Sequence, residues 1–311
     1  MSYFFIINPG SNHHKNKHFV SVIETVLNKR NITFEYKITS TLEDAHIFSK
    51  EANEEGYEVI VAVGGDGTIN KVLSGFYDER GKRISNAKLG VIHTGTSPDF
   101  CKSYGIPTKP ISALKTLLNN FTKEISVAQI EFHTEKRERK IGYFACCANL
   151  GLGAQVAQNA NSGIRKLLGD SLGTFVSILK SLINYKPTNM RIICDGKKRV
   201  IERHFNTFIG KTAFVASGMK VNHQLPSDDN RLYLLSLKKI NFRNVLPALR
   251  AIYSGKPICN KYYISFEYID SIEIMADDIN NEIEFDGDPQ GFLPCKISVA
   301  KDKLELITNG L

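Results

Sequence analysis

At 311 residues, with 42% hydrophobic and 23% charged side chains, the chain has the make-up of a globular protein with a large buried core and room for two domains. No apolar run approaches the roughly 20 residues of a spanning helix, and the N-terminal YFFII is too short and lacks the basic leader of a secretion signal, so a cytoplasmic location is expected. The formal charge of +8 fits an anionic partner, but KRERK, KKRVIER and LKKINFR are scattered and no aromatic–basic or zinc-finger spacing goes with them, which argues against nucleic acid.

In chain order, YFFIINPG reads as a buried strand that stops in a turn at Asn8-Pro9-Gly10. Phe19, Val22, Ile23, Val26 and Leu27 then recur at helical spacing over residues 18–28. The strand TFEYKIT, a helix over about 42–55 and the apolar strand EVIVAV follow, and a helix runs through NKVLSGF after the glycines at 64–67. KLGVIH is a further strand, leading into TGTSPDF and the helix SALKTLLNNF. Strands alternating with helices of this length predict a three-layer α/β/α domain with a parallel sheet.

Near residue 125 the pattern changes to short β-rich runs: ISVAQIEF, IGYFACCAN, MRIICDG, RHFNTFIG, RLYLLSL, KYYISFEY, SIEIMA, NEIEFDG and KISVA. Turn-rich stretches such as CDGKK and LPSDDNR separate them, and two helices interrupt, one over 172–185 and one in FRNVLPALRAIYSG. This predicts a C-terminal antiparallel β-sandwich over 126–297, with the first domain spanning 1–125 and residues 298–311 packing back on it. The six cysteines form no CxxC pair, which suits buried thiols in a reducing compartment.

The chemistry concentrates in GGDGT. Gly64, Gly65 and Gly67 follow a buried strand and permit a close backbone approach, so that their N–H groups and the following helix N-terminus can face phosphate oxygens. The Thr68 hydroxyl can donate to the same oxygens. A carboxylate at Asp66 would repel phosphate unless it binds a divalent cation or receives a proton, so it suggests Mg²⁺ or base chemistry. No GK[ST] follows, as a Walker A loop requires, and Ile69 and Asn70 stand around the place of the third glycine of a dinucleotide fingerprint. NPGSN and HTGTSPDF, which holds Gly95, Thr96 and Asp99, close two other strands. In an open parallel sheet ligands bind at the carboxyl ends of strands, so three such loops can share one crevice.

Taken together, NPGS, VGGDGTIN and GVIHTGTSPDF followed by YGIP resemble the catalytic region of the diacylglycerol kinase superfamily, which includes bacterial lipid kinases and sphingosine kinases. CANLGLGAQV, FVASGMKVNHQLPSDDNRL and IEFDGDPQGFLP resemble later motifs of the same family, so the likeness covers nearly the whole chain. It implies a two-domain NAD kinase/diacylglycerol kinase-like fold and an enzyme that uses ATP and Mg²⁺ to phosphorylate a lipid hydroxyl in a cleft between domains.

Carried over motif by motif, Asn8, Pro9, Gly10, Ser11, Asn12, Thr39, the run from Gly65 through Asp66, Gly67, Thr68, Ile69 and Asn70 to Lys71, and Thr96 would surround ATP. Asp66 and Asp99 would organise Mg²⁺ and phosphates, and Asp288 would stand where a Glu serves as the base toward the lipid hydroxyl. Asp229 would match a carboxylate that holds a structural Mg²⁺. Expected partners are a nucleotide, a lipid and an anionic membrane surface to which the protein is peripheral; a homodimer is left open.

The chain departs from the family pattern at Pro98, at His93-Thr94, at Lys71, at Ala216-Ser217, at Asn230 and at Asp288, which is one methylene shorter than Glu. Two other readings stay open. One is a kinase for a soluble acceptor such as NAD; the other is an ATP-binding regulatory protein with weakened catalysis, which Pro98 and Asp288 favour.

Overall fold

The computed structural model describes residues 1–311 except 12–14, 154–184, 216–217, 242, 276–281, 286–287 and 311, and leaves out the side chains of 11, 15–18, 249 and 288–290. The helix expected over 172–185 therefore lies outside the described residues, Tyr185 apart. The described chain divides into two compact units, Met1–Val127 with Ala300–Leu311, and Ala128–Val299.

The first unit is built on a six-stranded sheet in the order β2-β1-β3-β4-β18-β5. Its strands are β1 (Ser2–Ile7), β2 (Thr33–Ile38), β3 (Val59–Gly64), β4 (Lys88–His93), β5 (Thr122–Ile125) and β18 (Leu304–Ile307). All neighbours are parallel except β18 and β5. β1 and β3 are buried almost throughout, as continuous apolar runs in a doubly covered sheet should be.

Side-chain alternation divides that burial between the two faces. Tyr3, Phe5, Ile7, Val59, Val61 and Val63 join one core with Phe19, Ile23 and Leu27 of α1 (Lys15–Asn28) and with Ala113, Leu114 and Leu117 of α5 (Pro110–Asn119). The other face carries α2 (Leu42–Glu54) and α3 (Asp66–Ser74), which pack on each other where the Ser49 hydroxyl donates to the Val72 carbonyl. Thr41 starts α2 with a reciprocal cap to Asp44. A short helix α4 (Asp99–Tyr104) follows β4.

The second unit is a single antiparallel sheet that closes on itself. Its strands are β6 (Ala128–His133), β7 (Arg139–Phe144), β8 (Cys147–Gly151), β9 (Thr188–Cys194), β10 (Lys197–Gly210), β13 (Leu232–Lys238), β14 (Ile264–Ile269), β15 (Ser271–Ile274), β16 (Glu282–Phe285) and β17 (Asp288–Val299). The path β10-β8-β16-β17-β15-β9 returns to β10, because the first half of this long strand pairs with β9 and the second half with β8 and β13. The antiparallel β domain read from the sequence is thus continuous and barrel-like rather than two separate sheets.

The β9–β10 turn, read from CDGKK, has Asp195 at φ 47° and Gly196 at φ 75°, the left-handed pair that an Asp-Gly hairpin supplies. Inside, Phe132, Phe144 and Phe285 pack ring to ring among Ile, Leu and Met side chains. A ribbon of β11 (Phe214–Val215) and β12 (Met219–Lys220) and a helix α6 (Val245–Tyr253) complete the described elements. All six cysteines are free thiols, and only Cys259 is exposed. Among the described residues no helix is long and apolar enough to cross a membrane.

Candidate active site

β2, β1, β3 and β4 are consecutive parallel neighbours, so their carboxyl ends line one edge of the sheet and bring Thr39, Asn8, Gly64 and His93 side by side. Backbone bonds fasten the loops that leave this edge. Thr39 N–H donates to Ile7 O, Asn8 N–H to Val63 O and Thr94 N–H to Gly64 O, each at 2.9 Å.

The glycines are needed for room rather than for unusual dihedrals. A Cβ on Gly64 would lie 2.5 Å from the Thr68 Cβ, and one on Gly95 would lie 2.6 Å from the Gly65 Cα. Gly65 is the N-cap of α3 in an extended conformation, φ −85° and ψ −178°, with no side-chain cap. In α2, by contrast, the Thr41 hydroxyl accepts from the Asp44 N–H of the first turn. The opening turn of α3 therefore presents backbone N–H groups without a capping side chain, at the positive end of a helix dipole.

Two carboxylates mark this turn. Asp66 is the first residue of α3 and Asp99 the first of α4, and the Asp99 N–H donates to Asp66 Oδ2 at 3.1 Å. His93 Nε2 stands 3.7 Å from Asp66 Oδ1 and 3.2 Å from the Ser97 carbonyl. Burial pushes the His93 pKa down, against the smaller raising effect of the Ser97 carbonyl, so the ring is neutral and spends its Nε2 proton on Ser97. Burial, with the Asp66 charge as the smaller cause, pushes the Cys101 thiol up and keeps it protonated.

The remaining residues singled out from the sequence divide by burial. Thr68 is 1% exposed, and its hydroxyl accepts from the Asn8 side-chain amide at 2.9 Å while packing on Gly64. The hydroxyl expected to reach phosphate thus lies beneath the loop and binds the first strand end to the third. Ile69 and Asn70 are buried, and Lys71 pairs with Glu43 at 2.9 Å. Thr39 is buried on Ile7, Gly10 and Thr96 are exposed, Pro9 is half-buried and Gly67 likewise. Ser11 belongs to a single 3₁₀ turn, Pro9–Ser11, and Asn12 lies outside the described residues.

Asp288 and Asp229 belong to the second unit. Asp288 opens β17 opposite Phe285, its side chain being outside the description, as is Gly287. Glu284, a few residues earlier, is a buried carboxylate opposite Asn149, whose side chain accepts from Asn206 at 3.0 Å. In the sequence Glu284 carries no signal beyond its place in IEFDG, and His93 stands out only as a departure from the family pattern; their burial beside polar partners is set by the fold.

The donor set at Asp66 and Asp99 fits Mg²⁺. Both are hard oxygen ligands, and Mg²⁺ takes one or two carboxylates while leaving other positions to phosphate and water. Gly65 and Gly95 leave the adjoining space free of side chains. Among the described residues no three His, Cys, Asp or Glu side chains converge to hold a metal unaided. At Asp229 the fit fails, because both carboxylate oxygens are taken by Arg231, at 2.8 and 3.1 Å.

Comparison with known proteins shows the family of the chain. The model of the diacylglycerol kinase catalytic domain matches residues 2–130, and that of the YegS C-terminal NAD kinase beta sandwich-like domain matches 147–308. A diacylglycerol kinase of Bacillus subtilis (strain 168) is 27% identical over 260 residues, covering 82% of this chain and 79% of that protein. One of Staphylococcus carnosus (strain TM300) is 25% identical over 304 residues, covering 97% and 94%. Among solved structures, a putative diacylglycerol kinase from Bacillus anthracis str. Sterne superposes with a TM-score of 0.77 at 20% identity, covering 99% of this chain and 97% of that one. Yeast NADH kinase complexed with NADH has the same fold at a TM-score of 0.56 and 12% identity, over 99% of this chain and 84% of that one. The second model alone takes in over half of the chain, and the protein accordingly belongs to the family that joins a diacylglycerol kinase catalytic domain to a YegS-type C-terminal domain.

Proposed function

We propose that the protein transfers the γ-phosphate of ATP, with Mg²⁺, to a lipid hydroxyl of the diacylglycerol kind. The observation that carries this reading is the meeting of the Gly64–Gly65 and Gly95 turns, side chains absent between them and Asp66 linked to Asp99. Phosphate oxygens accept from the uncapped N–H groups of α3, where the helix dipole favours negative charge. Asn8 and Thr68 hold the first and third strand ends at fixed separation, so that these donors are oriented before the nucleotide arrives. Asp66 and Asp99 would hold Mg²⁺, which when bound offsets the charge on the transferring phosphoryl group. Asp288 is assigned the proton of the attacking hydroxyl, a role its shorter side chain fills only at close approach.

The reading extends to an anionic membrane surface. Between residues 238 and 262 stand Lys238, Lys239, Arg243, Arg250, Lys256 and Lys261 with no Asp or Glu, and Leu246, Tyr253 and Tyr262 are exposed among them. A basic stretch with exposed Leu and Tyr suits the headgroup region of anionic lipid.

Labelled ATP incubated with Mg²⁺ and mixed micelles of diacylglycerol, ceramide, sphingosine or phosphatidylglycerol tests the transfer, with Asp66→Asn as control. Labelled diacylglycerol that disappears in the control is expected. ATP binding without labelled lipid would instead favour a regulatory role, for which Pro98, an N-cap of α4 that makes no side-chain cap bond, is the favouring feature. Co-sedimentation with anionic but not zwitterionic vesicles checks the membrane part.

A further inference from the structure

Lys211 follows directly on β10 and is 5% exposed. Its ammonium donates to the main-chain carbonyl of Asp229 and, at 2.8 Å, to that of Arg231. Arg231 closes the same loop from outside. Its backbone N–H donates to Asp229 Oδ1 at 2.8 Å, and its guanidinium grips both carboxylate oxygens. The guanidinium also lies over the Tyr268 ring at 5.6 Å, and the Tyr268 hydroxyl accepts from Gln224 N–H at 2.9 Å. The end of the 224–231 loop is therefore held from within by one buried cation and braced by a second.

Carbonyls turned inward from a tight loop must be satisfied, and a buried ammonium must be matched by acceptors. Each need answers the other here. Two carbonyls and a carboxylate are also the hard oxygen set that a divalent cation would take. In this chain the carbonyls are spent on Lys211 and the carboxylate on Arg231. The Arg231 contacts are the largest cause that holds the Asp229 pKa down, to about 2, so the carboxylate is charged and matched.

We propose that Lys211 and Arg231 are built-in cations that replace a structural divalent ion in the 224–231 loop, making its order independent of metal. The inference does not rest on the lipid-kinase reading, since it concerns the loop and not the transfer. Any divalent requirement of the protein is then confined to the nucleotide side.

Hydrogen exchange of the 224–231 amides in the intact 311-residue chain, in EDTA and in millimolar MgCl₂, tests this directly. Equal protection in both solutions is expected for the natural sequence. Lys211→Met should raise exchange there on the order of tenfold to a hundredfold, the effect of leaving buried carbonyls unmatched. MgCl₂ should not restore it while Arg231 still holds Asp229. The double variant Lys211→Asn/Arg231→Leu should recover protection in MgCl₂ and lose it in EDTA. Loss of protection in the natural sequence on adding EDTA would overturn the proposal, and that comparison stands even if the variants fail to fold.

Discussion

Gly95 faces Gly65 with no room for a side chain of its own: a Cβ on Gly95 would come within 2.6 Å of the Gly65 Cα, whereas one on Gly65 would meet the Gly95 Cα at 3.5 Å. Gly95→Ala must therefore move backbone rather than a flexible side chain, at a cost of about 1–3 kcal/mol. Gly64→Ala meets Thr68 at 2.5 Å and should behave alike, whereas a Cβ on Gly10 meets only the Asn8 side chain at 3.2 Å. Chemical denaturation of the three variants should show two clear losses and one near-neutral change, and the two destabilised variants should also bind ATP more weakly.

Asp66→Asn and Asp99→Asn keep the shape of the turn and remove one charge each. Since the proposed transfer needs both carboxylates for Mg²⁺, each variant should lower turnover about a hundredfold or more, as deletion of an electrostatic catalytic group does. Removing one of two nearby like charges should leave the melting temperature unchanged or raised. Turnover close to that of the natural sequence in either variant would remove that residue from the site.

The Asn8 to Thr68 hydrogen bond should be measurable as a coupling. Asn8→Ala and Thr68→Val should each cost about 1 kcal/mol, with the double variant less than additive by a comparable amount. Additive losses would mean that the two strand ends are held independently.

Three histidines, His46, His93 and His223, have pKa values pushed down, burial being the largest cause for each. Their folded-state pKa values lie below the unfolded value near 6.5, so between the two the unfolded chain binds more protons. Stability should be complete above about pH 6.5 and fall as the pH drops below it, by up to about 1.4 kcal/mol per pH unit for each group inside its window. Urea midpoints measured from pH 7.5 to 5 should show this slope, and His46→Gln should flatten it.

Much of the first unit could be read from sequence because its elements announce themselves locally. Buried runs such as VIVAVG stop at glycine, and helices such as 42–54 open with a capping pair. What escaped was set by distant partners. β5, exposed along most of its length, earns its place only by pairing with β18, and α4 is too short to show a period. IGYFACCAN reads as one run yet divides into β7 and β8 around Ala145-Cys146. The first half of β10, KKRVIER, is mostly exposed and lacks alternation, although its pairing with β9 is what closes the sheet. At the candidate site the glycines and carboxylates were legible, whereas the buried position of Thr68 and the placing of His93 depend on neighbours 60 and 27 residues away in sequence. Lys211 is the clearest case, because nothing near it in sequence announces the carbonyls of residues 229 and 231.

The strand at Leu304–Ile307 lies between β4 and β5, and Ile307 belongs to the core shared with Tyr3 and Phe5. The segment leading to it is stitched to the first unit, Tyr77 and Arg83 both bonding to Asp302. Of the two units, the first is thus begun before the second on the ribosome and completed only after it. Until residue 307 has left the exit tunnel, β4 presents an unpaired, apolar edge, and through the whole synthesis of the second unit that edge is open to wrong pairing. Separate expression of residues 1–127 would leave the same gap in the sheet, and a usable fragment would need residues 300–311 joined back through a short linker.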